Sequence, residues 1–405
     1  MSVTERALVK KFGGTSVGSI ERIEHVARLI ARERERGRWP VVVASAMSGE
    51  TNRLVALGNQ LDADYRGPAY DMLVASGEQV AIALIVIALH KLGVPAKPLL
   101  AYQLGIETDS VYSKARILNI RTQELSELLQ KGIVPVIAGF QGVDEERNIT
   151  TLGRGGSDTT AVAVAAALGL PACEIYTDVP AVFSADPRLV PRAREIGKLS
   201  FEEMMEMASL GSKVLHVRSV EIGAKHNVRI HVRHTFQERE GTWIVPEGEI
   251  VENPVVSAVT HDSATVVFKL QPIPSETMFI AKLFTHLAQK GVSVDIISQS
   301  QLEQGYRLAF SVSSEDEPHV RSVLRDFLPA EIKVEALNDV AKISTVGVGM
   351  RNHPGVAARF FQVLASAGIQ VQLVTTSEIK ISAIIARDRL QDAAVALHTE
   401  FKLDV

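Results

Sequence analysis

The stretch KFGGTSVG, Lys11–Gly18, predicts the class of fold, because it joins two segments of different periodicity. Before it, Ala7–Phe12 has the apolar and β-branched character of a strand, and after it apolar residues recur at helical spacing from Ile20 to Ile30. Glycines in a strand–loop–helix connection let backbone N–H groups approach a phosphate, and the helix N-terminus adds partial positive charge. A glycine pair is more often an ordinary turn, so this stretch alone does not establish a function.

The first part of the chain repeats this alternation of strands and helices. Strands are predicted at Ala7–Phe12, Trp39–Met47, Ile133–Val143, Ala172–Thr177 and Val228–Val232. Helices are predicted from Ile20 onward and at Asp71–His90, Asp158–Leu168, Phe201–Ala208 and Lys213–Lys225. Alternating elements of this kind predict a three-layer α/β/α domain with a mainly parallel sheet.

The last third of the chain contains an internal repeat. When Gly291 is aligned with Gly368, Gly291–Val294 matches Gly368–Val371, and a helical segment precedes each glycine. The repeat length suits two small βαββαβ units of the ferredoxin-like type. The predicted domains are 1–245, 255–337 and 338–405, and the sheet of the last one can borrow a strand from 255–264.

Composition excludes several classes of protein. The chain has 405 residues, a formal net charge of −4 and 46% hydrophobic residues, which is typical of a soluble multidomain protein without a nucleic-acid footprint. Cys173 is the only cysteine, so an intrachain disulfide is excluded. Apolar stretches such as Val80–Leu89 are too short to span a membrane, and no signal peptide is expected, because the polar residues Met1 to Arg6 lead straight into a strand pattern. A cytoplasmic protein that does not bind membranes is expected.

A second glycine loop, Gly153–Asp158, also opens a helix. Asp158 could simply cap that helix, but Arg154 presents a guanidinium suited to bidentate binding of a carboxylate. An arginine for a carboxylate and an aspartate for an ammonium together describe an amino-acid site. The chain has no G-x-x-x-x-G-K-[ST] motif, so it is not a P-loop enzyme.

Five motifs occur in an order and spacing that resemble the aspartate kinase branch of the amino acid kinase family. They are Lys11–Gly18, Ser45–Met47, Gly77–Glu78, Gly153–Asp158 and Thr177–Arg188. In the C-terminal part, Met350–Ala357 and Thr376–Ser382 are similar to the second ACT domain of that family. The resemblance covers essentially the whole chain and implies an amino acid kinase domain followed by two ACT domains.

This resemblance implies an activity and its cofactors. In the family, the γ-phosphoryl group of MgATP passes to the β-carboxylate of L-aspartate and gives 4-phospho-L-aspartate. This is the first step of lysine, threonine and methionine biosynthesis, and an end-product amino acid inhibits it. The implied cofactors are ATP and Mg²⁺. The histidines lack the spacing of a metal cage, so the protein itself is expected to provide no metal site.

The resemblance also assigns roles to residues. The catalytic residues would be Lys11, Arg154 and Asp158. Aspartate would be bound by Thr51, Glu78, Arg154, Gly155, Ser157 and Asp158. ATP would be bound by Lys11, Phe12, Gly13, Gly14, Ser45, Thr177, Asp178, Phe183, Asp186, Arg188 and Lys213. Lys11 would lie beside the transferring phosphoryl group, with the N–H groups of the glycine pair around it.

The ACT pair would bind lysine, threonine or both, and would assemble the chain into a homodimer or homotetramer. The matching effector positions are Ser275, Ser293, Asp295, Gln299, Val356, Ala357, Gln372 and Glu378. Two departures from the family pattern bear on this reading. Pro272–Thr277 replaces the usual Asp-x-Pro-Gly turn that frames the effector, and the segment Gly211–Val217 has a valine where the family usually has a proline.

Two other functions compete with this one. Another amino acid kinase, acting on N-acetylglutamate or glutamate, would share the fold, but the duplicated C-terminal module and Arg154–Asp158 argue against it. A catalytically inactive amino-acid sensor would need no phosphoryl-transfer lysine, whereas Lys11 is present.

Overall fold

The computed structural model describes residues 6–212, 214–251 and 254–404, which form two compact units. The first unit holds the described residues of 1–182, 195–209 and 213–252, and the second those of 183–194, 210–212 and 253–405. The segment Phe183–Arg194, which lies inside the predicted first domain, therefore clusters with the C-terminal unit.

The first unit alternates strands and helices, as predicted. Its strands are β1 (Ala7–Phe12), β2 (Trp39–Ala44), β3 (Ala96–Leu99), β4 (Ile106–Thr108), β5 (Ile117–Ile120), β6 (Val134–Ala138), β7 (Gln141–Val143), β8 (Ile149–Thr151), β9 (Ala172–Thr177), β10 (Lys198–Ser200), β11 (Arg229–His234) and β12 (Thr242–Val245). Its helices are α1 (Ile20–Glu35), α2 (Glu50–Leu61), α3 (Pro68–Lys91), α4 (Ala101–Leu104), α5 (Gln123–Gln130), α6 (Gly156–Ala167), α7 (Phe201–Ser209) and α8 (Val217–His226).

An eight-stranded sheet in the order β10-β12-β11-β9-β1-β2-β6-β3 forms the centre of this unit. All neighbouring strands in it run parallel except β11 and β12, so the predicted mainly parallel sheet is confirmed. Parallel strands need crossover connections, and the helices between them supply these.

The alternation of side chains along β1 gives the two faces of the sheet different partners. Phe12 packs in the main hydrophobic core with apolar residues of α1 and α3, including Ile30 and Ile85. Successive side chains of a strand point to opposite faces. Lys11 therefore points away from that core and meets Asp158 of α6 on the other face.

The single strand predicted at Ile133–Val143 is wrong. The strand ends at Ala138, because Gly139 and Phe140 turn the chain out of the main sheet, and Phe140 has a φ of 69°. Gln141–Val143 then joins a separate four-stranded sheet in the order β5-β4-β7-β8. The helix predicted at Lys213–Lys225 begins only at Val217, with His216 as its N-cap, and Lys213 lies outside the described residues.

Among the described residues one helix, α3, is long and apolar enough to cross a membrane. Half of its apolar window is buried, with Ile82, Ile85 and Leu89 in the main core. A helix that is apolar on most of its sides is typical of the buried core of a protein as well as of a membrane span.

The second unit contains the repeat. Its strands are β13 (Ala258–Ile273), β14 (Val294–Gln301), β15 (Tyr306–Ser313), β16 (Lys333–Val346), β17 (Val371–Thr376) and β18 (Lys380–Ala386). Its helices are α9 (Thr277–Gln289), α10 (Glu317–Phe327), α11 (Val356–Ser366) and α12 (Leu390–Glu400). Gly291 and Gly368 follow α9 and α11 with φ angles of 73° and 66°, a backbone conformation that favours glycine after a helix.

One sheet in the order β14-β15-β13-β16-β18-β17 runs through both copies of the repeat. The two long strands, β13 and β16, are shared. Ala258–Asp262 pairs with the end of β16, whose other neighbour is β18, whereas the second part of β13 pairs with β15 and the start of β16. Each copy has its own core: Phe268 and Phe310 lie in the first, and Phe360 and Leu397 in the second.

Lys10 is a buried charge that the sequence analysis overlooked. Its side chain is 2% exposed, and its Nζ donates to Glu174 Oε2 at 2.5 Å, Tyr176 OH at 3.0 Å and Glu33 Oε1 at 3.3 Å. Burial acts to lower the pKa of Lys10, but Glu174 and Tyr176 outweigh it and the pKa is raised. These bonds link β1 to β9 and to α1 on the face of the sheet opposite to Lys11.

We expect Lys10→Met to lower the free energy of unfolding by about 3–5 kcal/mol, because Glu174 and Glu33 would keep buried charges without this partner. Urea denaturation at neutral pH measures the change. Lys97→Met is the matched control, since Lys97 lies on β3 of the same sheet but its ion pair with Glu124 is exposed. That control should lose at most about 1 kcal/mol, and an equal loss in both variants would contradict the structural role of Lys10.

Candidate active site

Four adjacent parallel strands end at the same edge of the large sheet. Phe12 at the end of β1 pairs with Ala44 of β2 and Tyr176 of β9, and Ala44 pairs with Ala138 of β6. The carboxyl ends of parallel strands are where open α/β sheets bind ligands. The glycine loop of Lys11–Gly18 and the residues Ser45 and Ala46 leave the sheet at this edge.

An ion pair joins the two glycine loops. Lys11 Nζ lies 2.5 Å from Asp158 Oδ1, and each side chain is 11% exposed. Lys11 is the second-last residue of β1, and Asp158 lies in the first turn of α6. The geometry places a lysine ammonium beside the N-terminus of a helix, where the partial positive charge favours an anion.

The backbone N–H groups of Gly13 and Gly14, in the first glycine loop, differ in their hydrogen bonding. The Gly13 N–H donates to Tyr176 O at 3.1 Å, so it extends the β1–β9 pairing, and its contact with a phosphate stays a prediction. The Gly14 N–H has no partner among the described residues. A Cβ on Gly14 would lie 2.9 Å from Ala46 O, so only glycine allows the loop to pass this close to β2.

Glu78 is a buried carboxylate with an unfilled hydrogen-bonding position. Its Oε1 accepts from Ala46 N–H at 3.1 Å, whereas its Oε2 is buried without a hydrogen-bond partner in the part of the chain that the structure describes. Burial raises the pKa of Glu78 to about 7, and the Ala46 bond opposes this. Buried polar groups are normally satisfied, so the Glu78 carboxylate leaves an acceptor position open near this edge of the sheet.

Close packing fixes the second glycine loop. Gly155 has a φ of 68°, and a Cβ there would lie 2.2 Å from His216 Cβ. A Cβ on Gly139 would lie 2.7 Å from Ser157 Oγ, so the break after β6 makes room for this loop. His216 is half-buried, and burial lowers its pKa.

Asp71 of helix α3 supports the strand that leads into the same loop, and the sequence analysis did not single it out. It is fully buried, and its carboxylate accepts hydrogen bonds from the Ser113 N–H and hydroxyl and, at 2.6 Å, from the Thr151 N–H. Thr151 ends β8 directly before the loop. The only available signal was an acidic residue near the start of an apolar helix, which an ordinary helix start explains equally well.

Other predicted residues of the first unit lie around this edge. Thr51 is half-buried in the first turn of α2, Arg154 is exposed in its loop, and Ser45 is half-buried after β2. Thr177 ends β9 and its hydroxyl donates to Asp178 at 3.1 Å.

Three predicted nucleotide residues, Phe183, Asp186 and Arg188, belong to the second unit. Arg188 donates to both carboxylate oxygens of Asp186, at 3.0 Å and 3.2 Å from Nε and at 2.7 Å from the Nη2 nitrogen. These bonds lower the pKa of Asp186.

The predicted effector residues divide between the two copies of the repeat. Ser275 precedes α9, and Ser293, Asp295 and Gln299 are exposed at or along β14. In the second copy, Val356 and Ala357 begin α11, Gln372 lies on β17 and Glu378 follows that strand. Asp295 forms an ion pair with the buried Lys342 of β16. Glu378 Oε2 lies 3.3 Å from Arg351 Nε.

Comparison with known proteins agrees with this arrangement. The model of the amino acid kinase family matches residues 6–234, and a model of the ACT domain matches residues 343–401. The chain is 47% identical over 402 residues to aspartokinase from Pseudomonas aeruginosa, covering 98% of each. It is 47% identical over 401 residues to aspartate kinase from Pseudomonas putida, again covering 98% of each.

A solved structure shows the same fold. Aspartokinase III of E. coli, in complex with aspartate and ADP, matches with a TM-score of 0.81 and 25% identity over 97% of this chain and 99% of that one. The resemblance that the five motifs indicated is confirmed. The chain belongs to the aspartokinase branch of the amino acid kinase family and is an ATP-dependent kinase that carries a C-terminal ACT domain.

Proposed function

We propose that the chain transfers the γ-phosphoryl group of MgATP to the β-carboxylate of L-aspartate and forms 4-phospho-L-aspartate. The observation that supports this most directly is the Lys11–Asp158 pair at the carboxyl edge of the sheet, with the orphaned Glu78 carboxylate at the same edge. The relatives named for this activity match the whole length of the chain.

In this proposal the protein mainly positions two anions. Lys11 and the free Gly14 N–H offset the negative charge of the phosphoryl group while it is transferred, and Asp158 holds the lysine in place. The N-terminus of α6 contributes the same sign of charge. The oxygen of the β-carboxylate attacks the γ-phosphorus, the bond to the bridging oxygen breaks, and ADP leaves with that oxygen.

Glu78 and Arg154 orient the amino acid. The unpartnered Glu78 Oε2 accepts a hydrogen bond from the α-ammonium group, which also compensates the cost of burying the carboxylate. Arg154 is exposed on its loop and binds the α-carboxylate through its fork of N–H groups. Fixing both charged groups leaves the β-carboxylate as the only nucleophile that can reach the phosphoryl group.

Magnesium enters with the nucleotide. Among the described residues no group of three or more histidine, cysteine or acidic side chains could hold a metal ion. This fits an ion that is held by phosphate oxygens and water, as Mg²⁺ prefers. When bound, it neutralises charge on the phosphates.

The ACT modules carry regulation in this proposal. Lysine, threonine or both bind at the predicted positions of β14 and α11, and the chain assembles as a homodimer or homotetramer in the cytoplasm. The exposed Asp295, tied to the buried Lys342, supports this, because an effector that competes for Asp295 would disturb a contact between the two copies of the repeat.

The deciding experiment is an assay of MgATP-dependent acyl phosphate, trapped with hydroxylamine, with L-aspartate, L-glutamate and N-acetyl-L-glutamate as substrates. Aspartate-dependent hydroxamate that disappears in Lys11→Ala supports the proposal. Turnover of glutamate or N-acetylglutamate alone contradicts the substrate. Binding of aspartate or lysine by folded protein without turnover would indicate a sensor.

We expect Gly155→Ala to reduce kcat/KM for aspartate about a hundredfold, since a displacement of about 1 Å in the loop misplaces the substrate. The new Cβ would overlap His216. Steady-state kinetics with each substrate varied in turn measures this, and KM for ATP should change less. Gly169→Ala is the control, because Gly169 has a φ of 66° but nothing within 4 Å of its Cβ position. A similar loss in both variants would show that backbone strain alone is responsible.

A further inference from the structure

We propose that Asp71, near the start of helix α3, is a positioning residue for the amino-acid substrate: it holds the approach to the second glycine loop at a set distance from Glu78. This rests on the proposed function, which assigns Glu78 to the α-ammonium group and Arg154 of that loop to the α-carboxylate. All of these residues belong to the first unit.

The Asp71 carboxylate joins two segments that are separated in the sequence. Its Oδ2 accepts from the Thr151 N–H at 2.6 Å and from the Ser113 N–H at 3.0 Å, and its Oδ1 accepts from the Ser113 hydroxyl at 3.2 Å. Asp71 and Thr151 are 0% and 1% exposed, so these bonds are shielded from water. A buried carboxylate with several donors holds them firmly, because each broken bond would leave a polar group unsatisfied.

Both segments border the second glycine loop. Thr151 ends β8 two residues before Gly153. Ser113 packs against that glycine, since a Cβ on Gly153 would lie 3.0 Å from Ser113 O. Ser113 has a φ of 67°, which is strained for a residue with a side chain, and its bonds to Asp71 stabilise this conformation. The bonds to Asp71 therefore set the position at which the chain enters the loop.

The same helix carries Glu78 about two turns further on. Seven residues advance an α-helix by about 10 Å and return the side chain to nearly the same face. Gly77 lets α3 lie close to the end of β2, because a Cβ there would lie 2.8 Å from Ala46 Cβ, and Glu78 accepts from the Ala46 N–H. Helix α3 is thus attached to the loop approach through Asp71 and to the sheet edge through Glu78.

A second contact attaches α3 to the small sheet. Gln141 of β7 is 0% exposed and pairs with Thr151 of β8. Its Nε2 donates to Ala75 O of α3 at 3.3 Å, and its Oε1 accepts from the Ala101 N–H at 3.3 Å. Ala75 lies about one turn after Asp71. The adjacent strands β7 and β8 therefore hold successive turns of the helix.

The ion pair of Lys11 with Asp158 is held in another way. Asp158 lies in the first turn of α6, which is buried from Gly156 to Ala165. The packing of that helix fixes the pair, whereas Arg154 is exposed between β8 and α6. Loss of the Asp71 contacts should therefore disturb the binding of the amino acid more than the transfer of the phosphoryl group.

The test compares Asp71→Asn with the control Thr242→Val. Asparagine keeps the size of the side chain and one acceptor oxygen, but it places an NH₂ group opposite a backbone N–H. Thr242 of β12 is also 0% exposed, and its hydroxyl accepts from the Val182 N–H at 2.8 Å and donates to Ile196 O at 2.6 Å. Thr242→Val thus breaks two buried hydrogen bonds outside the small sheet. Steady-state kinetics gives kcat and KM per folded molecule, and calorimetry gives the Kd of aspartate and of MgATP.

We expect Asp71→Asn to raise KM and Kd for aspartate about tenfold, the effect of one buried hydrogen bond. The fall in kcat should be much smaller, and the Kd of MgATP should stay nearly unchanged. Hydrogen exchange should become faster in residues 111–116 and 149–155 of this variant, and Thr242→Val should keep the wild-type constants. Ser113→Ala removes only the hydroxyl contact, should raise KM less, and serves if Asp71→Asn does not fold.

A folded Asp71→Asn protein with the wild-type KM and Kd for aspartate would overturn the proposal, and so would an equal rise in Thr242→Val. A wild type that binds aspartate without phosphorylating it would contradict the proposed function, whereas the Kd values would still decide the role of Asp71. A wild type that binds no aspartate would overturn both.

Discussion

Replacement of Lys11 by methionine should lower kcat for aspartate phosphorylation about a thousandfold, the scale on which single charge-stabilising groups act in phosphoryl and acyl transfer. Methionine keeps the length and the apolar stem but removes the ammonium that lies 2.5 Å from Asp158. Because the lost interaction is strongest in the transition state, KM for both substrates should change much less than kcat. Single-turnover measurements with saturating MgATP isolate this step.

The neighbouring residue provides the control for this prediction. Lys10 lies on the same strand but faces the opposite side of the sheet, where Glu33 and Glu174 bind it. Lys10→Met should therefore destabilise the protein but keep kcat per folded molecule. Lys11→Met also leaves Asp158 unpaired, so kcat has to be expressed per folded molecule, with the folded fraction taken from urea denaturation. Full activity in Lys11→Met would remove Lys11 from the mechanism.

Local patterns were sufficient for the elements that position Lys11 and Asp158. Ala7–Phe12 and Ala172–Thr177 are strands with the predicted bounds, and α6 begins two residues before the predicted Asp158. Each is a short apolar or alanine-rich run that is bounded by glycine, proline or aspartate, which encodes its structure locally. The order of the glycine motifs identified the family, and spacing of motifs is also a property of the sequence alone.

Features that depend on distant contacts were not predictable. The turn at Gly139 and Phe140 occurs because Ser157 packs against Gly139, and nothing in the run from Ile133 to Val143 encodes that contact. The Gly13 N–H donates a hydrogen bond to the carbonyl oxygen of Tyr176, a residue far along the chain. Likewise, Ala185 and Val190 have the local sequence of loop residues, and their burial depends on contacts with the hydrophobic core formed by C-terminal residues.

A pH dependence of aspartate binding should arise from Glu78. Its pKa is about 7 in the free protein because the carboxylate is buried. Only the ionised form attracts the substrate ammonium, so KM for aspartate should rise about tenfold as the pH falls from about 8 to about 6. Glu78→Gln should raise KM at neutral pH and remove this dependence. Glu50→Gln, whose carboxylate pairs with Arg53 on α2, is the control and should keep the wild-type profile.

The same carboxylate should also make the substrate-free protein less stable at higher pH. Its pKa is raised from 4.5 to about 7, so between these values the folded state binds a proton that the unfolded state has lost. The free energy of unfolding then falls as the pH rises through this window, by on the order of 3 kcal/mol for this group. Glu78→Gln should be the more stable protein at about pH 8, and a given concentration of aspartate should stabilise the wild type more than the variant, because the variant binds it more weakly. Urea denaturation at several pH values, with and without aspartate, tests both statements. A Glu78→Gln variant that binds aspartate as tightly as the wild type would show that the orphaned oxygen is not the site of the ammonium.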